Sequence, residues 1–420
     1  YMLMHLFNTK LNNFNNFVND FNLSKKWDGV KVNAGLYKGI QNVSMSWLWN
    51  SYLQEVSDNN ARMIDVKNAL GQSLSPNGLL AYGVPAWGNC CTRNYDTQYD
   101  VTAPYAQIEI NAIEKLSLDF GARYDIGNVT GSFAGGNGQT AAIDMNGNGN
   151  IDPNEQKVAT VGNNITPVDY DYNIFGYSVG ANYSINEKNA VFARISKGGS
   201  ASADRILFSG YNYTNTDDPA LDAVKVNEVK QLEGGYKLRG AGFYLNTTLF
   251  YANTLEANYE ATTQRKTEND YQSVGVELDG YYRLNKTFEV RGGLTYTNAE
   301  IKDAIDKTIV GNTPRRTPKL MYNLNPNVNL GKVSTGFFLI GASKAYAQDN
   351  NSLVMPSYIV VNPYLSYQFT KNLGASINGN NIFDAIGVTE AEEGSIPTNG
   401  IVRGRPLTGR SLSMSLKFDF

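Results

Sequence analysis

Residues 144 to 155 read DMNGNGNIDPNE, with the spacing of a calcium-binding loop. Asp144, Asn146 and Asn148 fall at positions one, three and five, Gly149 at the tight sixth and Asn150 at the seventh, where a backbone carbonyl serves. Asp152 takes the ninth position and Glu155 the bidentate twelfth. A hard cation needs several oxygens converging from one curled chain, and Gly149 supplies the sharp turn. The flanks, GGNGQTAA and QKVATVGNN, are poor helix formers, so the stretch reads as a Ca2+ clamp inside a loop rather than the hinge of a helix pair. The alternative is an Asn/Gly-rich loop that matches by chance. With three carboxylates, Asp144, Asp152 and Glu155, the expected affinity is weak, on the order of 10⁻⁴ to 10⁻³ M.

Two other stretches carry residue types suited to recognition. YGVPAWGNCCTRNYDTQYD, residues 82–100, gathers Tyr82, Trp87, Tyr95 and Tyr99 around Cys90 and Cys91. Aromatic faces exclude water from sugar or flat ligand surfaces while their polar edges keep hydrogen bonds, so the segment reads either as a ligand platform or as a loop packed on itself. The adjacent cysteines form a vicinal disulfide in an oxidising compartment or remain two thiols in a reducing one. GNTPRRTPKLMY sets Arg315 and Arg316 between prolines, where they either meet an anionic ligand or lipopolysaccharide phosphate or form a solvated strand end. The acidic TEAEEGS, residues 389–395, reads as a solvated loop or a second cation site.

Composition narrows the classes. A single histidine, His5, weakens catalytic and transition-metal schemes built on imidazole, and no nucleophile–base spacing stands out, so the chain is not expected to be an enzyme. A net charge of −3 lacks the basic excess of a nucleic-acid binder. Forty Gly, twenty-seven Tyr and eighteen Phe in 420 residues favour strands and turns, and no apolar run reaches the ~18–20 residues of a membrane helix. The chain starts inside an alternating stretch with no signal peptide, and an upstream part is expected.

The elements that must position these residues alternate with period two. In SVGVELDGYYRL, Val274, Val276, Leu278, Gly280, Tyr282 and Leu284 share one face, opposite Glu277, Asp279, Tyr281 and Arg283. In FEVRGGLTYT, Phe288, Val290, Leu294 and Tyr296 oppose Glu289, Arg291, Thr295 and Thr297. In IVVNPYLSYQF, Val361, Leu365, Tyr367 and Phe369 oppose Asn362, Tyr364, Ser366 and Gln368, and the terminal SLSMSLKFDF alternates Leu412, Met414, Leu416, Phe418 and Phe420. Some fifteen to seventeen strands of about ten to fifteen residues are expected, long enough to cross a bilayer at a tilt. Short turns at 185–189, 238–241, 284–287, 330–333 and 370–372 alternate with long polar stretches near 135–167, 199–225, 256–270, 298–316, 343–356 and 384–408. That asymmetry predicts an all-β, large antiparallel transmembrane barrel occupying residues 1–420. Residues 1–60 are the least regular, and WLWNSYLQEV is also readable as helix.

Several phrases in order resemble the C-terminal barrel portion of a TonB-dependent receptor: VFARISKGGSASADR at 191–205, YQSVGVELDGYYRL with RGGLTYTNAEI at 271–301, NGNNIFDAIGVTE at 378–390, and the terminal GRSLSMSLKFDF. The resemblance implies a 22-stranded barrel in the outer membrane of a Gram-negative bacterium, with the N-terminal plug and first strands absent from this sequence. It implies a terminal aromatic read by the barrel-assembly machinery, and active uptake energised by the inner-membrane TonB complex. Expected partners are outer-membrane lipid, lipopolysaccharide and a small-molecule or oligosaccharide ligand. The phrase order is closer to receptors for nutrients such as saccharides; the alternatives are a siderophore-type iron-chelate receptor of the same architecture and a passive porin-like channel. A haem receptor is disfavoured, because only His5 is present and RISKGG lacks the haem-receptor phrase.

Overall fold

The computed structural model describes residues 2–56, 93–135, 165–202, 218–260, 265–391 and 402–419, with scattered residues between them (62, 64, 67, 69–71, 79–80, 140–142, 144, 148–153, 156, 158–159, 206–207, 211–214, 394–398 and 400). One antiparallel sheet of sixteen strands dominates. Its main path runs through β1 Met2–Trp27, β2 Val30–Gln54, β3 Arg93–Ile113, β4 Leu116–Gly135 and β5 Thr166–Asn186. It continues through β6 Asn189–Ala201, β7 Val226–Gly240, β8 Phe243–Glu260, β9 Arg265–Arg283 and β10 Phe288–Ala304. It ends with β11 Leu320–Leu330, β12 Val333–Ala342, β13 Tyr358–Gln368, β14 Leu373–Asn380 and β15 Ser411–Phe418. Each strand pairs with its sequence neighbours, the short strand 79–80 lies against β2, and β1 and β15 form the two ends of the path. No helix among the described residues is long and apolar enough to cross a membrane.

Because neighbouring strands run antiparallel, alternate connections fall at opposite ends. The short turns 28–29, 114–115, 187–188, 241–242, 284–287, 331–332 and 369–372 all lie at one end, as the loop-length asymmetry predicts. Gly29, at φ +69°, closes the Asp28–Gly29 turn in a conformation that side chains disfavour. The opposite end carries the long connections, with 261–264 between β8 and β9 the short exception.

The period-two pattern becomes two chemically distinct faces. Cross-strand register places Leu249, Val276 and Tyr296 in one row and Leu245, Gly280 and Gly292 in another, so the apolar positions of successive strands coincide. Their side chains are largely exposed, including Leu232, Leu249, Leu365, Ile377, Leu412, Met414 and Leu416. An apolar face this continuous is a lipid-facing surface; in water each such side chain would forgo about 1.5–3 kcal/mol of burial. The other face is polar and internally bonded. Arg194 pairs with Asp119 at 2.7 Å, Arg123 with Asp125 at 2.6 Å, and Tyr281 donates to Glu289 at 2.7 Å.

Three expectations need correction. WLWNSYLQEV is strand through Gln54, not helix: its aromatics suit a pleated surface, and pairing with β1 and residues 79–80 fixes the extended form. The stretch 256–270 is mostly ladder rather than loop, with Glu260 opposite Arg265 and only 261–264 between β8 and β9. Strand lengths are broader than ten to fifteen residues, from 26 in β1 to 8 in β14 and β15, because several ladders continue past the ~10 residues that a bilayer requires. Phe420 lies outside the described residues.

Above the pair Tyr177–Lys197, β5 and β6 part. Described residues from the following connection pack there: Tyr213 accepts from Asp169 N–H through its carbonyl at 2.9 Å, and Ile206, Leu207, Tyr213, Leu221 and Val224 are buried with Val129, Val168, Tyr170, Tyr172 and Ile174. Polar groups of this connection are met locally: Tyr213 donates its hydroxyl to the Ile206 carbonyl at 2.6 Å, and Asp218 caps the one-turn helix Pro219–Asp222 by accepting from Ala220 N–H at 2.9 Å.

Candidate functional site

The chemistry predicted from sequence falls on the long-loop end. The calcium-type loop joins β4 to β5, and the pairing of Thr140 with Ala159 and Ala141 with Val158 closes its base as a two-residue ladder. That ladder stands where a helix-pair sensor would have helices. Asp144 curls the chain around its own carboxylate, with Oδ1 accepting from Asn148 N–H at 3.2 Å and Oδ2 from Gly149 N–H at 2.8 Å. Gly149, at φ +82°, makes this possible. Asn148 Oδ1 accepts from Asn150 N–H at 2.7 Å, and its amide donates to Asp152 Oδ2 at 2.9 Å. Asp144, Asn148, Asn150 and Asp152 therefore converge. Asn146 and Glu155 lie outside the described residues, and among the described residues no group of three or more His, Cys, Asp or Glu side chains could hold a metal.

Trp87, Cys90 and Cys91 also lie outside the described residues. Tyr95 and Tyr99 are on β3, and both face inward rather than forming an open shelf. Tyr95 is only 3% exposed, in register with Met45 and Phe133, and Tyr99 packs against the cluster that holds Tyr170 and Leu221. Two aromatics spaced by four on a strand share a face, and here that face meets a loop core.

Arg315 and Arg316 sit where three long connections meet: 305–319 after β10, 343–357 after β12 and 381–410 after β14. Arg315 N–H donates to Asp349 Oδ1 at 2.8 Å, and its guanidinium reaches Gln348 Oε1 at 3.3 Å. Thr313 and Asn351 exchange two bonds, Thr313 N–H to Asn351 Oδ1 at 3.0 Å and Asn351 Nδ2–H to the Thr313 carbonyl at 2.7 Å. Arg316 adopts φ +58°, a left-handed conformation that costs a non-glycine residue about 1 kcal/mol, and its N–H donates to the Tyr346 carbonyl at 2.7 Å. Its guanidinium meets Glu390 at 2.7 Å, and Arg405 meets the other oxygen of Glu390 at 3.0 Å. Ala347, Met355 and Ala391 form a small core beneath.

Sequence reasoning missed Glu390, Arg405, Asp349 and Asn351. The acidic stretch reads as a solvated loop or a second cation site, whereas the Glu390 side chain is 26% exposed and carries two arginines. Glu390 lies on the hairpin formed by 388–391 and 404–406, far along the chain from Arg316, and no local spacing announces the pairing. The only hint is the proline-bounded TPRRTP, which restricts the backbone around the arginine pair.

Comparison with known proteins agrees with this architecture. The family model described as TonB dependent receptor-like, beta-barrel, matches residues 4–382. The rhizobactin receptor of Rhizobium meliloti is 26% identical over 227 residues, covering 50% of this chain and 28% of that protein. The ferrichrome outer membrane transporter/phage receptor of Escherichia coli is 28% identical over 200 residues, covering 41% and 26%. The solved ferric yersiniabactin uptake receptor of Yersinia pestis superposes with a TM-score of 0.70 at 14% identity, over 100% of this chain and 55% of that one. The chain thus spans about half the length of that solved structure, and its matched segments cover about a quarter of the curated relatives' length.

Proposed function

Since the chain belongs to the TonB-dependent receptor β-barrel family, a family of the Gram-negative outer membrane, we propose that its barrel serves the active import of a ferric chelate. What supports this reading is the set of relatives, named as receptors or transporters for rhizobactin, ferrichrome and ferric pyoverdine, and they favour the iron-chelate alternative over a saccharide. The family is one of receptors and transporters rather than enzymes. In this reading the TonB complex of the inner membrane supplies the energy, and outer-membrane lipid and lipopolysaccharide surround the apolar face. A small anionic chelate lands among the long loops. Arg405, 76% exposed beside Glu390, and the neighbouring Arg315 and Arg316 offer guanidinium groups to its oxygens.

Expressing the natural full-length protein in a host stripped of its own ferric-chelate receptors tests this. Uptake of radioactive iron with hydroxamate, catecholate or mixed chelates is expected, and it should stop when TonB is removed. Uptake that persists without TonB, or that appears only for oligosaccharides, would overturn the proposal.

A second reading concerns the 144–155 loop, which we propose holds Ca2+ as a structural clamp. The fan of backbone N–H groups around Asp144 and the turn at Gly149 support it, since this curl brings Asp144, Asn148 and Asp152 onto one side. Bound calcium would offset the conformational entropy of a Gly/Asn-rich connection and shape the mouth around it.

A further inference from the structure

The polar inner face is interrupted near the long-loop end. Register carries the inward row of Glu277 and Thr295 onto Met321 of β11, and the next inward position, Asn323, onto Ile340 of β12 and Val360 of β13. Phe338, two residues from Ile340, shares its face. Met321, Phe338 and Ile340 are each nearly half exposed, so they turn apolar surface to the interior instead of to lipid. Below them Tyr364 donates its hydroxyl to Asn327 Oδ1 at 3.1 Å, and its ring centre lies 5.5 Å from that of Phe338 with the planes at 37°. Leu11, Phe14 and Val18 of β1 also turn inward, but β1 is an end of the sheet with no neighbour on one side, and Val229 of β7 does so singly. The patch on β11 and β12 lies within the continuous sheet.

Guanidinium groups stand at the loop end of the same strands. Arg316 is five residues before Met321 in the chain. The tops of β11 and β12 are tied by Ser343 N–H donating to the Leu320 carbonyl at 2.8 Å and by Leu320 N–H donating to Ser343 Oγ at 3.0 Å. Phe338 lies four residues below the end of β12, about 13 Å along the strand. A ligand resting here meets cations at its upper edge and a partly aromatic surface along its side. Charge and shape together select among ferric chelates. A ferric trihydroxamate is uncharged and has no ring; ferric citrate is anionic and has no ring. A ferric catecholate has both, negative charge on the donor oxygens and aryl rings with exposed faces. We propose that Met321, Phe338 and Ile340 form a shelf for an aryl ring of a ferric catecholate whose donor oxygens face Arg315, Arg316 and Arg405. The proposal rests on the ferric-chelate reading above and narrows it to one class of chelate.

The test uses the natural full-length protein with a ferric tris-catecholate, a ferric trihydroxamate and ferric citrate as probes. In intact cells a membrane-impermeant maleimide should label the Ile340→Cys variant, and the ferric tris-catecholate alone should protect it; Met321→Cys serves if that variant fails to reach the outer membrane. In purified protein, Phe338→Ala should weaken binding of the ferric tris-catecholate about ten-fold, the loss of one ring–ring contact, and Phe338→Tyr, which keeps the ring, should stay within about two-fold of wild type. An unlabelled cysteine in protein that reaches the outer membrane would mean that another part of the chain covers the shelf, and overturns the proposal. Equal catecholate binding by wild type and Phe338→Ala overturns it too, as does equal protection by the trihydroxamate. Iron uptake is measured in parallel. Uptake confined to the trihydroxamate or to citrate overturns this proposal and leaves ferric-chelate import standing, whereas no uptake from any of the three overturns both.

Discussion

Glu390 is the residue on which the loops near the C-terminal end converge, because its two oxygens bind guanidinium groups from separate connections. Replacing it with Gln keeps the shape but removes the charge that holds Arg316 in its left-handed turn. With both partners partly exposed, the loss should be about 1 kcal/mol. Hydrogen exchange at residues 312–317 and 345–355 should rise several-fold while the strands are unaffected; unchanged exchange there would mean that the three loops are held by other contacts. At the proposed calcium clamp, calorimetry should show binding heat that Asp144→Ala abolishes, since Asp144 would be a ligand and is the acceptor for the N–H groups of 148 and 149. Heat that survives the substitution removes the clamp. A third residue responds to acid. Arg62, donating to Glu55 through its guanidinium at 3.0 Å and its backbone N–H at 3.2 Å, holds the Glu55 carboxyl below the usual carboxylate range. A lowered pKa means that this tie is complete above the unfolded value, about 4.3, and is lost as pH falls through the folded one. An NMR titration should find Glu55 protonating at lower pH in wild type than in Arg62→Ala; identical curves would discard the tie.

At the scale of elements, β9 shows how a strand divides its work. Val276 lies on the apolar face between Leu249 and Tyr296, while Thr295 on β10 shares the polar face with Glu277. Val276→Arg should cost about 2–4 kcal/mol in a bilayer, and Thr295→Arg near zero. Urea unfolding in lipid vesicles measures both, and equal costs would mean that the faces are misassigned. These faces were legible in the sequence, since SVGVELDGYYRL and FEVRGGLTYT differ from position to position by polarity alone and register follows from that alternation. Turns were legible for the same reason: Asn285 in LNKT accepts from Thr287 and Phe288 N–H at 2.8 Å, a contact inside four residues. What was hidden lay between distant segments. The ladder of 256–270 looks like a polar loop because its side chains are polar, and only cross-strand pairing makes it strand. Arg316 and Glu390 read as solvated charges or as separate ion sites, never as each other's partner, because an ion pair between loops leaves no periodic trace.

For the whole molecule, the arrangement of connections fixes an orientation. In intact cells a membrane-impermeant maleimide should label Ile396→Cys, on the 381–410 connection, and should reach Lys371→Cys, in a short turn, only after the outer membrane is permeabilised. The opposite pattern would invert the barrel. The neighbour-only order of the sheet has a further consequence, for how such a chain changes size. A strand bonded solely to the one before and the one after belongs to no distant partner, so a hairpin such as β7–β8 can be duplicated or excised with β6 and β9 simply meeting new neighbours of the same polarity pattern. No crossover has to be rethreaded and no remote register reset. Circumference becomes a quantity that lineage can adjust two strands at a time, while the faces keep their chemistry.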